Sequence, residues 1–426
     1  MTQSARKTMS RYAEHALNIH QHEPRRIAIP LLTRESQKHP AGQSVASRFA
    51  VGASLFYAST LGMGGTYLPF FPVWLKAIGV DVSWIGIITA VPSFSRFTVL
   101  PFVTAFAERR QILRKAMIIL AFATAFGFVL VGLLHQPLAI LIVFGLMACA
   151  WTPLAPLIDG YALKGVVRYG LNYGPMRLWG SAAFIVGAMG AGLLLSTIDP
   201  QYLIWAIVAV AFLSAFVSLG LAPLDAPASA APPARASRLL RRPLFLSIIG
   251  ASALIQASHA AYYGFSAITW QNAGLGGITI AALWSLGVIA EIVIFAISPR
   301  FTLSPAVLVM IGAASGVLRW VITAQEPRIE VLAVAQLMHG LTFGITQVGT
   351  VALLVRNVPH QLLASAQGYL SALTGISFSV AMVCSGLIYA RVGEGVYYAM
   401  AAIALAGGIV MTLARKRLDA HHAVMD

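Results

Sequence analysis

Gly277-Ile-Thr-Ile-Ala-Ala-Leu-Trp-Ser-Leu-Gly-Val-Ile-Ala-Glu291-Ile-Val-Ile-Phe-Ala-Ile-Ser298 decides the fold of this chain. About 20 successive apolar residues cross a bilayer as a helix. This run is that long and carries one ionisable group, Glu291. A charge at that depth costs at least about 2.5–3.5 kcal/mol on insertion scales, so it faces a bundle interior or a wet cavity. Six more such groups sit in equally apolar stretches: Arg96, Asp159 and Arg177 in the first half, His259, Arg319 and His339 in the second. Seven of them point to a shared wet interior, and hence to a transport pathway.

The rest of the chain extends this pattern. Of 426 residues, 58% are hydrophobic and 10% charged, against about 25% charged in soluble domains. This composition excludes a soluble globular protein. Twelve spans are predicted. The first six cover 49–74, 84–107, 114–134, 137–160, 177–196 and 201–221; the second six cover 244–270, 277–298, 305–324, 330–354, 364–390 and 395–414. The expected fold is an all-α membrane protein of two six-helix bundles, 48–221 and 244–418. Residues 222–243, rich in Pro and Ala with Arg235, Arg238, Arg241 and Arg242, read as a flexible cytoplasmic linker. Residues 1–47 read as a disordered basic cytoplasmic extension, unless the start is assigned too far upstream, and 419–426 as a cytoplasmic tail.

Lys and Arg placement fixes the expected direction. With both termini inside, inner segments hold 23 of the 29 basic residues, and outer loops keep Lys76, Arg328 and Arg391. The net charge of +15 is therefore a topology signal and an attraction to anionic lipids, not a nucleic-acid footprint. A multi-pass membrane location and a monomer are expected. Cys149 and Cys384, each in an apolar run, suggest neither a disulfide framework nor a metal site. No His-Glu-x-x-His or comparable constellation is present, so no enzyme, metal or cofactor is expected beyond a proton gradient.

Three stretches carry a resemblance. Tyr173-Gly-Pro-Met-Arg177-Leu-Trp-Gly-Ser-Ala-Ala-Phe184 and Ser258-His259-Ala-Ala-Tyr262-Tyr263-Gly-Phe265, together with 283–295, resemble the bacterial phenylpropionate permease group of the major facilitator superfamily. The likeness covers roughly 48–418. The superfamily's loop between helices two and three is represented by Thr104-Ala-Phe-Ala-Glu108-Arg109-Arg110. Its acid–Arg pair, Glu108 and Arg109, implies a cytoplasmic gate, although the leading Gly is Thr104. More distantly the chain is similar to lactose permease and the nucleoside–proton symporters. That likeness implies substrate contacts at Asp159 and Arg177, eighteen residues apart, and proton coupling at Glu291, Arg319 and His339. The departures are Thr342 where lactose permease has an acid one turn after the His, and Phe184 where it has Trp. Its Lys–Asp pairs are replaced by Gln256, His259, Gln336 and Thr374.

The residues themselves support two readings each. Asp159 and Arg177 form either a structural ion pair or a binding pair whose Arg meets a carboxylate or paired hydroxyls. Phe184, two turns on, shares that helix face. Arg96 either attracts an anion into the cavity or pairs with Asp159. Glu291 is a proton carrier or a static partner of Arg319. His339 and His259 are proton-sensitive groups or core histidines, and Tyr263 is a further cavity position. Three arginines against two acids leave +1, which favours an anionic cargo. The expected function is proton symport of a small aromatic carboxylate such as 3-phenylpropionate. A sugar or nucleoside symporter, an exporter, and a sensor with a transporter-like body are the alternatives.

Overall fold

In the computed structural model, residues 40–224, 236–325, 328–359 and 362–420 are described; they form helices and short connections, with no strand among them. Residues 1–39, half of the expected linker (225–235) and 421–426 lie outside the described residues. The helices are α1 Pro40–Ala77, α2 Val82–Thr98, α3 Leu100–Arg109, α4 Leu113–Gly132, α5 Pro137–Trp151, α6 Leu154–Tyr169, α7 Tyr173–Leu195 and α8 Leu203–Leu219. After the linker follow α9 Pro243–Ala257, α10 Ala260–Asn272, α11 Gly277–Ile297, α12 Pro305–Thr323, α13 Ile329–Leu337, α14 Thr346–Asn357, α15 Leu363–Val392 and α16 Val396–Ala420. Nine helical stretches among the described residues are long and apolar enough to cross a membrane, or ten with α2 and α3 taken as one bent span. Phe102, Leu146, Val186 and Leu413 are each more than 70% exposed, an arrangement suited to lipid. The chain is a multi-pass membrane protein.

Several expected spans are broken, each for a local reason. α2 and α3 meet at 44°, where Pro101 enters the first turn of α3 and supplies no backbone donor. Pro153 separates α5 from α6 in the same way, and α6 runs on to Tyr169, beyond the expected end at 160. No proline divides α9 from α10. There the Ser258 hydroxyl donates to the Ile255 carbonyl at 2.6 Å, and His259 Nδ1 reaches the Ile255 and Gln256 carbonyls at 3.2 Å. These side chains take acceptors that the helix ladder would otherwise use. Between α13 and α14, residues Gly340–Ile345 form a π-helical turn directly after His339. Such turns are rare and frequently sit at functional sites.

Within the first half α4 packs on α5 and α8, and within the second α12 and α9 pack on α16. The halves meet along two helix pairs, α2 with α15 and α7 with α11. The α7–α11 contact is closest at one end of the bundle, whereas α2 and α15 stay close from Gly86 against Gly386 to Ser93 against Gly375. A side chain at Gly86 would begin 2.8 Å from the Gly386 Cα, and one at Gly192 would begin 2.4 Å from the Gly277 carbonyl oxygen. Only glycine allows backbones this near. The Ser379 hydroxyl donates to the Ala90 carbonyl at 3.3 Å, and Lys76 Nζ donates to the Asn272 side-chain oxygen at the same end. This is the closed end.

Candidate functional site

From Gly192 and Gly277 the facing helices α7 and α11 part, and a cavity of about 450 Å³ lies between them. One wall carries Tyr173, Arg177 and Phe184 of α7. The other carries Trp284 and Glu291 of α11, with Tyr263 of α10. Arg177 and Glu291 face each other within electrostatic reach. The aromatic wall is layered: Tyr262 stacks on Trp284 at 4.6 Å and 23°, and Tyr263 meets Trp284 edge-on at 5.5 Å. Phe184 is held by its backbone, because its carbonyl oxygen sits where any side chain on Gly65 of α1 would start.

The first-half acid and arginine are not paired with each other. Asp159 Oδ1 accepts hydrogen bonds from the Tyr57 hydroxyl at 2.6 Å and the Tyr173 hydroxyl at 2.8 Å. Glu291 is ion-paired with His339, and among the described residues Arg177 is in no ion pair with a carboxylate. Its guanidinium stands 5.8 Å from the Tyr57 ring centre. Two tyrosines therefore satisfy the carboxylate and leave the guanidinium fork available to a ligand.

In the second half a buried polar cluster surrounds Arg319, which is fully buried. Its Nη1 is 3.0 Å from His339 Nδ1 and 3.2 Å from Thr342 Oγ1, and its Nη2 donates to Gln336 Oε1 at 3.0 Å. The Tyr262 and Trp320 rings lie 4.8 and 4.4 Å away. Each such cation–π contact contributes about 0.5–2 kcal/mol, which offsets part of the cost of burying a cation without a carboxylate. A guanidinium only donates, so His339 Nδ1 accepts. The imidazole proton is assigned to Nε2, which faces Glu291 Oε2 at 3.9 Å. His339 thus stands between Arg319 and Glu291. His259 Nδ1 sees only carbonyls and carries its own proton, while Nε2 lies 3.0 Å from the Thr342 hydroxyl.

The model of the MFS_1 like family matches residues 52–400. The chain belongs to that family. This MFS_1 like chain is therefore a transporter of the major facilitator superfamily. It is 32% identical over 355 residues to the "Probable 3-phenylpropionic acid transporter" of Escherichia coli (strain K12), covering 80% of this chain and 91% of that protein. It is 24% identical over 378 residues to the "Maltose permease" of Geobacillus stearothermophilus, covering 85% and 94%. Among solved structures, the nucleoside transporter NupG aligns with a TM-score of 0.76 at 15% identity, covering 86% of this chain and 99% of that one. A bacterial homolog to the human lysosomal transporter Spinster, in an inward-facing and occupied conformation, aligns at 0.66 and 13%, covering 87% and 97%.

Of the residues singled out in this MFS_1 like sequence, Arg177, Phe184, Tyr263, Glu291 and His339 line the central cavity. Arg319 sits behind His339 and meets Glu291 only through it. His339 takes the place of a direct Glu291–Arg319 contact, with Nδ1 on the guanidinium and Nε2 toward the carboxylate. The expected Asp159–Arg177 and Arg96–Asp159 pairs are absent among the described residues, since Asp159 is held by Tyr57 and Tyr173. Arg96 lies against Gly375 of α15 and within electrostatic reach of Tyr263, outside the lining of the cavity. His259 is buried with partners of its own and does not line the cavity. Glu108 and Arg109 are exposed at the end of α3, far along the chain from these groups and in no ion pair.

Residues that sequence reading passed over are Tyr57, Tyr173 and Trp284. Tyr173 carried a usable signal, four positions before Arg177 and so on the same helix face. Tyr57 carried none, because it reaches Asp159 across 102 positions of sequence.

Proposed function

We propose that this transporter is a proton symporter of small aromatic carboxylates such as 3-phenylpropionate, working by alternating access in a bacterial inner membrane. Twelve crossings with both termini inside fit the helix order and the distribution of basic residues. The observation that carries the proposal is a cavity in which a guanidinium without a carboxylate partner stands beside an aromatic wall and opposite a single carboxyl. The substrate carboxylate docks on Arg177, and its ring lies against Phe184, Tyr263 and Trp284. The charge arithmetic then couples cargo to proton. With Glu291 ionised, Arg177 and Glu291 cancel, and an added anion leaves the cavity negative. With Glu291 protonated, the anion brings it to neutral. Loading therefore takes one carboxylate and one proton together, and His339 with Arg319 sets when Glu291 releases its proton. The named relative at 32% identity supports the substrate class.

Glu291→Gln is expected to abolish accumulation driven by a pH gradient while leaving counterflow exchange of labelled 3-phenylpropionate; normal accumulation in that variant would remove Glu291 from the coupling. The similarity to a maltose permease favours a sugar symporter as the second reading. Competition of uptake by 3-phenylpropionate against maltose and nucleosides separates the two.

A further inference from the structure

A second cavity, about 410 Å³, lies wholly within the second half at the closed end. It is lined by the last turns of α10 and α12 (Thr269, Trp270, Thr323), the start of α13 (Arg328, Glu330) and Glu394 of the turn before α16. The start of α11 at that same end is pressed against Gly192. The substrate route is therefore shut where this second cavity lies.

One aromatic layer separates the two cavities. Trp270 lines the second and Tyr262 lines the first, and their ring centres are 6.2 Å apart. Polar groups continue through the same layer. Thr269 Oγ1 is 2.9 Å from the Tyr389 hydroxyl. Thr323 donates to the Arg319 carbonyl at 2.8 Å, one turn from the guanidinium that holds His339. The Tyr397 hydroxyl is fully buried without a partner, and its ring stacks on Trp320 at 5.9 Å. A buried hydroxyl with no partner is uncommon in a finished core and leaves a polar group ready to accept a new hydrogen bond if the layer opens. The mouth carries the charged side chains of Arg328, Glu330 and Glu394, which hold water at the rim.

We propose that the second cavity is a water-filled proton vestibule, through which a proton from the closed side reaches Glu291 without using the substrate route. This rests on the symport reading above. The proton leaves water in the vestibule, crosses the layer on water admitted when the Trp270 and Tyr262 rings part, and adds to the Glu291 carboxylate; no other bond changes. The charged and titratable groups along the way are Arg328, Glu330 and Glu394 at the mouth, Tyr389 and Tyr397 on its flank, and Tyr262, Tyr263, Arg319, His259 and His339 around the inner end.

Two measurements test it. In a Cys149→Ser, Cys384→Ser background, single cysteines are placed at Thr323 and, in the central cavity, at Ser181. A membrane-impermeant thiol reagent applied from the closed side without substrate is expected to label T323C at least tenfold faster than S181C. Equal rates, or an unreactive T323C, would overturn the vestibule. Ala273→Trp plugs the second cavity from its rim. Initial accumulation of 3-phenylpropionate on a pH gradient is expected to fall at least fivefold, while counterflow, which reports a folded carrier, stays within twofold. If wild type is driven by the gradient and the plug leaves that drive intact, the vestibule alone falls. If wild type is not driven by protons at all, the symport reading falls and takes the proton role with it.

Discussion

Asp159 shows how the site differs from a simple pair of opposite charges. Its carboxylate is held by two phenol hydroxyls, and Arg177 is left to a ligand. Removing both donors in Tyr57→Phe with Tyr173→Phe is expected to turn Asp159 toward Arg177 and raise the KM for uptake about tenfold, about 1.4 kcal/mol. Adding Asp159→Asn to that pair is expected to restore most of the loss, because the competing carboxylate is gone. Arg177→Lys keeps the charge but loses the bidentate fork, and uptake kinetics are expected to show a similar rise in KM. The sequence identifies which side chains are buried charges, since hydropathy and ion cost are local properties. It does not identify their partners. Tyr57 and Asp159 come from different helices, and His339 meets Arg319 from another helix, a contact no periodicity announces.

At the scale of the helices, the span pattern was readable because each span needs about 20 apolar residues. Its breaks were half-readable. Pro101 and Pro153 mark two of them, whereas the break at Ser258–His259 depends on side chains competing for backbone carbonyls. Gly192 was readable as a small residue for packing, but its opposite number Gly277 was not, because the contact joins distant helices. Gly192→Val would drive a side chain into the Gly277 carbonyl and is expected to force α7 from α11 at the closed end. The check is thiol labelling of S181C from that side, which should rise severalfold over the same cysteine in an otherwise native chain. Unchanged labelling would mean that this contact does not hold the end shut.

At the scale of the whole molecule, the charge arithmetic of the cavity sets a pH response. On the proposed symport mechanism, loading takes Glu291 in its protonated form, so the initial rate of 3-phenylpropionate uptake is expected to fall as external pH rises, and Glu291→Gln counterflow should lose that dependence. Deleting residues 1–39 is expected to leave transport intact, measured by the same uptake assay, since every group in the proposed site lies beyond them. The closed end also has a consequence for traffic across the membrane. Backbone contacts at Gly86 and Gly192, with the Lys76–Asn272 hydrogen bond, close this side in the structure. On the proposed orientation the empty carrier therefore waits with its cavity toward the cytoplasm. If the carrier imports as proposed, cargo already inside competes for that cavity before it can turn outward, so uptake slows as cargo accumulates, with no separate regulator required.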